Sequence, residues 1–182
     1  MMKTIPLSLQ DVMLIENTIF KDDRGSFTEL FNQDKFFRAV GKRIEFVQDN
    51  CSFSTKNVLR GLHYQINRPQ GKLIHVVKGT IFDVAVDLRR SSATFGQWLG
   101  KTLSACRYQQ LWLPPGLAHG FMVLSETAEV HYKVTDYWSP ADERCIAWDD
   151  PDLAIAWPLN ESLVLSEKDK RGDLFKNAVF YT

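Results

Sequence analysis

Apolar and polar residues alternate with a period of two through much of the middle of the chain. Lys72–Lys78 is one such run, closed by Gly79. Thr80–Leu88 follows, with Phe82, Val84, Val86 and Leu88 on one face and Asp83, Ala85 and Asp87 on the other. That pattern predicts a half-buried antiparallel strand. Gln109–Leu113 and Ala128–Thr135 repeat it, and Gly79, Gly100, Gly116, Gly120 and the prolines at 114, 115 and 140 supply corners. Helical signals are sparse. Gln33–Val40 fits two turns, with Asn32 as N-cap and Gly41 as the stop. Ser166–Asp169 has capping-box spacing and predicts a short C-terminal helix. Many short strands with a few short helices indicate an all-β barrel or jelly roll, a fold that holds ligands in its interior or mouth. With no repeat or linker, residues 1–182 read as a single domain.

Charge narrows the partners. The 22 basic and 22 acidic residues balance, which argues against a nucleic-acid binder but leaves room for a local cation cluster and a small anionic ligand. No apolar run approaches the ~20 residues of a membrane span, and the first residues lack a signal-peptide core, so the reading is a cytoplasmic protein with no membrane partner. Cys51, Cys106 and Cys145 are odd in number and widely spaced, as expected of reduced thiols rather than of disulfides or a zinc site.

Candidate chemistry centres on His63, in the segment Asn57–Gln65, with Arg60 before it and Lys72 after it. His119 lies in a second segment, Pro114–Phe121. An imidazole that titrates near neutrality, set among cations, suits proton abstraction from an anionic substrate. Local sequence leaves structural alternatives open. His63 fits a core histidine, Asp169 a capping residue, Tyr132 a strand tyrosine, Lys72 a strand-edge lysine and His119 a turn histidine.

A set of motifs goes further. Asp23-Arg24-Gly25-Ser26-Phe27-Thr28-Glu29, Gln48-Asp49-Asn50, Leu59-Arg60-Gly61-Leu62-His63, Gln70-Gly71-Lys72, Pro115–Phe121, Tyr132-Lys133 and Ser166–Asp169 together resemble the dTDP-4-dehydrorhamnose 3,5-epimerase family, in its order and over nearly the whole chain. The resemblance implies a cupin-type double-stranded β-helix (jelly roll) and a homodimer. It implies a dTDP-linked 4-keto-6-deoxy sugar as substrate, inverted at C3 and C5 on the route to dTDP-L-rhamnose and lipopolysaccharide O-antigen, with no metal and no cofactor. It makes His63 the base, Asp169 its orienting partner, Tyr132 the acid and Lys72 the stabiliser of the enolate. Arg24 and Arg60 become diphosphate ligands, and Phe27, Glu29, Gln48, Asp49, Asn50, His119, Trp138, Glu143 and Lys168 become substrate contacts. The Arg24–Glu29 stretch is expected to reach the partner subunit's site. His119 is expected to bind substrate or polarise the ketone with Lys72.

The main alternative is a single-carbon epimerase or a ketoisomerase acting on a related dTDP-ketosugar. A metal-dependent cupin fits less well, because His63-Tyr64-Gln65 lacks the HxH ligand pair such proteins use. Trp138 stands where many family members carry a second tyrosine, which leaves sugar positioning less defined than nucleotide class.

Overall fold

The computed structural model describes residues 2–159 and 162–182. The strands are β1 (Lys3–Pro6), β2 (Met13–Glu16), β3 (Ile19–Asp22), β4 (Gly25–Thr28), β5 (Gln48–Thr55), β6 (Leu59–Gln65), β7 (Lys72–Lys78), β8 (Thr80–Asp87), β9 (Trp98–Ser104), β10 (Gln109–Leu113), β11 (Leu117–Val123), β12 (Thr127–Val134) and β13 (Glu143–Cys145). One sheet runs β1-β2-β10-β7-β12-β5 and a second runs β13-β6-β11-β8-β9, while β3 and β4 form a separate hairpin. All the strand pairings are antiparallel. The two large sheets face one another across a core that includes Leu14, Ile74, Leu111 and Val130 from the first and Ile81, Ala85, Leu103 and Phe121 from the second. This is the expected all-β, cupin-type jelly roll.

The predicted helix forms as α1 (Gln33–Val40). Asn32 caps it by accepting from the Lys35 N–H at 3.1 Å, and Gly41 ends it in the left-handed region at φ 74°. Phe36 anchors it, meeting Trp112 edge-on at 5.3 Å beneath the outer face of the first sheet. The expected C-terminal helix is only a 3-10 turn, Asp169–Arg171. The Ser166 hydroxyl accepts from the Asp169 N–H at 3.1 Å, but also donates to the Asp169 carboxylate at 2.7 Å, so that side chain does not return to the backbone as a capping box requires.

β8 departs from the expected half-burial. Phe82, Val84, Val86 and Leu88 do share a face, but they turn away from the interior and pack beneath Ile146, Leu153, Trp157 and other residues of the C-terminal segment. The opposite face holds Ala85 in the core, and Asp83 and Asp87 are fully buried. A coat of irregular chain covers the second sheet, so β8 is buried on both faces and its polar face points inward. Period two gave the faces correctly but could not tell which of them meets water.

β6 and β11 approach unusually closely. A Cβ on Gly61 (φ 109°) would lie 2.6 Å from the His119 carbonyl oxygen, and one on Gly120 would lie 2.6 Å from that of Arg60. Only glycine fits both positions, and the register through them sets His63 directly opposite His119. Gly71, by contrast, makes room for the Trp112 ring rather than for a ligand, since a Cβ there would lie 2.6 Å from that ring.

The buried outer face of β8 can be tested with Val86→Thr, which places a hydroxyl beneath the coat. It should lower unfolding stability by ~1–3 kcal/mol in urea denaturation. A change within ~0.5 kcal/mol would mean that this face meets solvent.

Candidate active site

His63, Lys72 and Tyr132 line a cavity with two contiguous lobes of about 270 and 230 Å³. Gln48, Asn50, Gln65, Gln70, Trp138 and Glu143 surround the first lobe, and Ser52, Arg60, His119, Gly120 and Phe121 the second. Strand alternation explains the convergence. Lys72 shares the inward face of β7 with the core residues Ile74 and Val76, and Tyr132 shares the inward face of β12 with Val130. β7 lies between β10 and β12, so Lys72 is not an edge lysine. His75 and His131 pair across β7 and β12 on the outer face, apart from His63 and Lys72.

His63 is held from behind. Its Nε2 lies 2.6 Å from Asp169 Oδ1, and the same carboxylate accepts from Ser166 Oγ at 2.7 Å and from the Gly61 N–H at 3.4 Å. Burial of Asp169 opposes its ionisation, but the hydrogen bonds from His63 and Ser166 outweigh that and hold its pKa below the usual value. An ionised carboxylate only accepts, so it is Nε2 that donates to Asp169, and in the neutral ring Nδ1 is then the nitrogen with the lone pair. Asp169 is thus the partner of His63, and its side chain meets the Ser166 hydroxyl rather than closing a capping box.

Burial pushes the Lys72 ammonium down to about 8, against the opposing charges of Asp83 and Glu143. Tyr132 moves the other way. Burial raises its pKa, with only partial relief from Arg60, so the phenol stays protonated. His119 sits within β11, not in a turn, and its Nε2 meets Asp83 Oδ2 at 2.9 Å. Burial lowers its pKa despite the Asp83 charge, favouring the neutral ring. With Nε2–H given to Asp83, the neutral His119 ring presents an acceptor toward the cavity, which suits the first of its two expected roles, binding substrate.

Several named residues take other positions. Asp49 faces outward and pairs with Lys133 Nζ at 2.9 Å. Glu29 pairs with Lys35 at 2.6 Å, beside α1. Arg24 and Phe27 lie on the β3–β4 hairpin, where Arg24 is paired with Asp22 at 2.6 Å and highly exposed. Lys168 does not line either lobe but meets Glu143 at 2.5 Å.

Sequence reasoning did not single out Gln65, Gln70 or Asp83. Gln65 stands two places beyond His63 on the same strand face, a position that strand alternation alone would have flagged. It donates to the Arg68 and Tyr137 carbonyls and accepts from the Ser139 N–H. Gln70 donates to the Asp136 carbonyl and Gln48 accepts from the Trp138 N–H, so three glutamines fix the loop that carries Trp138. Asp83 looked solvated, but it is fully buried, and its Oδ1 has no hydrogen-bond partner.

Lys72 should titrate near pH 8 when its Nζ is followed by NMR. Asp83→Asn should move that midpoint lower, because the Asp83 charge favours the ammonium. An unchanged midpoint would show that Asp83 does not act on Lys72.

The profile of the dTDP-4-dehydrorhamnose 3,5-epimerase family matches residues 6–177. The dTDP-4-dehydrorhamnose 3,5-epimerase of Pseudomonas aeruginosa is 56% identical over 177 residues, covering 97% of this chain and 98% of that protein. A dTDP-6-deoxy-D-glucose-3,5-epimerase from Legionella pneumophila, solved in complex with dTDP-4-keto-L-rhamnose, superposes with a TM-score of 0.94 at 47% identity, over 97% of this chain and 94% of that one. A 3'-monoepimerase from Streptomyces bikiniensis, in complex with dTDP-quinovose, gives a TM-score of 0.87 at 35% identity, over 93% and 86%. This chain belongs to the dTDP-4-dehydrorhamnose 3,5-epimerase family.

Proposed function

We propose that this protein is a 3,5-epimerase of dTDP-4-dehydro-6-deoxy-D-glucose, giving dTDP-4-dehydro-L-rhamnose. The observation that carries the reading is a base, a proton donor and a cation lining one cavity: His63, Tyr132 and Lys72. Hydrogens at C3 and C5 become acidic when the C4 ketone takes up charge as an enolate. His63 Nδ1 removes one of these protons, and Asp169 stabilises the imidazolium that results. Lys72, as the ammonium, donates to the developing C4 oxyanion. Tyr132 returns a proton to the opposite face of the ring and is then reprotonated from solvent, to which the His63 imidazolium releases the proton it took. His119 accepts from a substrate hydroxyl. Each step leaves the sugar's redox state unchanged.

Arg60, Gln48, Asn50, Trp138 and Glu143 are assigned to substrate binding around that cavity. Arg24, Phe27 and Glu29 are assigned to a partner subunit's site. Phe20 and Phe27 are 61% and 68% exposed on the β3–β4 hairpin, apolar surface suited to cover by a second copy. Asp49 and Lys168 act through Lys133 and Glu143 on the rim. No described helix is long and apolar enough to cross a membrane, in keeping with a cytoplasmic sugar-nucleotide enzyme.

A single-carbon epimerase is the second reading, favoured by the likeness to the 3'-monoepimerase, and product NMR separates the two. In deuterated water the protein should exchange the C3 and C5 hydrogens of the ketosugar. His63→Ala should slow that exchange by at least ~10²-fold. Tyr132→Phe should impair inversion more than exchange. Exchange that survives His63→Ala unchanged would overturn the base assignment.

The pH dependence provides a separate check. Lys72 acts as a cation, so kcat/KM should fall as pH rises through about 8. Lys72→Met should remove that alkaline limb and leave a rate lower by ~10²–10³-fold.

A further inference from the structure

Cys145 stands beside the catalytic pair. It is the register partner of His63 across β13 and β6. The His63 ring nitrogen, the Cys145 Sγ and an Asp169 carboxylate oxygen all lie within 4.8 Å of one another. Cys145 and His63 are partly exposed, and Asp169 is buried and held in place by Ser166 and Gly61. We propose that His63, Cys145 and Asp169 form an inhibitory Zn²⁺ site that captures the base of the resting enzyme. The inhibitory part of this proposal rests on the epimerase reading.

The donor set suits the ion. Thiolate, imidazole and carboxylate are the protein ligands of zinc, and three of them with one open position make the usual reactive zinc centre. Zn–S bonds of about 2.3 Å and Zn–N and Zn–O bonds of about 2.0–2.2 Å separate tetrahedral ligand atoms by ~3.3–3.6 Å. The three donors therefore need to shift by only about 1 Å. The fourth position is left for water.

The protons balance. Without metal, burial and the Asp169 carboxylate push the Cys145 thiol up to about 12, so it is inert. A bound dication reverses this, and the thiol proton leaves to solvent. The Nε2 proton of His63 moves to Nδ1 as Nε2 takes the metal. His63 then has no lone pair for a substrate proton, and Asp169 is no longer free to stabilise an imidazolium. Because one proton is released, zinc should bind more tightly as pH rises.

Binding is read separately from catalysis, on the whole 182-residue chain with Co²⁺ as a spectroscopic probe. One equivalent should give a thiolate-to-cobalt charge-transfer band in the near ultraviolet, lost in Cys145→Ser and retained in Cys51→Ser. The second control matters because Cys51, Glu129 and His131 form another donor group, on the outer face of the first sheet. In the exchange assay Zn²⁺ should inhibit the wild type reversibly to chelator. Cys145→Ser should keep its metal-free rate and need at least ~10-fold more Zn²⁺ for half-inhibition. No band, a band that survives Cys145→Ser, or equal inhibition of both proteins would overturn the proposal. A protein that shows the band but no metal-free exchange would keep the metal site and overturn the epimerase reading instead.

Discussion

The C-terminal segment has to lie across the outer face of the second sheet, and the rest of the structure depends on that contact. Val84, Val86, Leu88, Leu59 and Leu62 turn outward from the sandwich and would otherwise meet water. Covering such side chains contributes ~1.5–3 kcal/mol each, and Ile146, Leu153 and Trp157 supply the cover. Regular backbone is not needed for this, since the coat is pinned at points instead. Asp150 accepts from the Leu153 and Phe175 N–H groups, and Trp157 donates to the Trp148 carbonyl. The coat frees the opposite face of the sheet to carry polar groups into the interior. It also delivers Asp169 to the back of His63. Stability of the sheet and orientation of the base are thus two results of one docking event.

The same contact explains where sequence reading succeeded and failed. Strands with alternating patterns, the capped helix and the inward direction of Tyr132 follow from local rules, because each depends on the pleat or on a single cap. The exposed or buried state of a face does not. Asp83 and Asp87 look like a solvent face until the coat is in place, and 146–182 carries little periodicity to announce a third layer. The motifs around His63, Lys72 and Tyr132 named three residues that the fold brings to one cavity. Arg24, Phe27 and Glu29 belong to the same motif set but stand apart from that cavity in the single chain. A motif records which residues recur together and says nothing of where the fold places them.

Burial then sets the electrostatics. Lys72 enters an interior whose other inward residues on β7 are apolar, and the cost of its charge appears as a depressed pKa. Asp83, within the same interior, keeps that depression moderate, while its Oδ2 pairs with His119 and its Oδ1 has no hydrogen-bond partner. The cavity therefore holds an ammonium that is weakly solvated and poorly paired. Such a group gains most when an oxyanion forms beside it, because little water has to be displaced at that moment.

The sandwich also suits a stereochemical demand of the proposed reaction. Inversion requires that a proton leave one face of the sugar ring and return to the other. His63 stands on β6 in the second sheet, and Tyr132 on β12 in the first. A ring held between the sheets meets the base from one side and the phenol from the other, with no movement of the backbone. Burial raises the Tyr132 pKa, which makes it a poorer acid in isolation but keeps it protonated until the enolate forms. The enolate next to it is a strong enough base to draw that proton. Lys72 lies on the Tyr132 side, two strands in from the sheet edge, so the charge formed by the base is received by the opposite sheet. Inversion needs a base and an acid on either side of the ring, and facing sheets put these two groups on separate walls of the cavity.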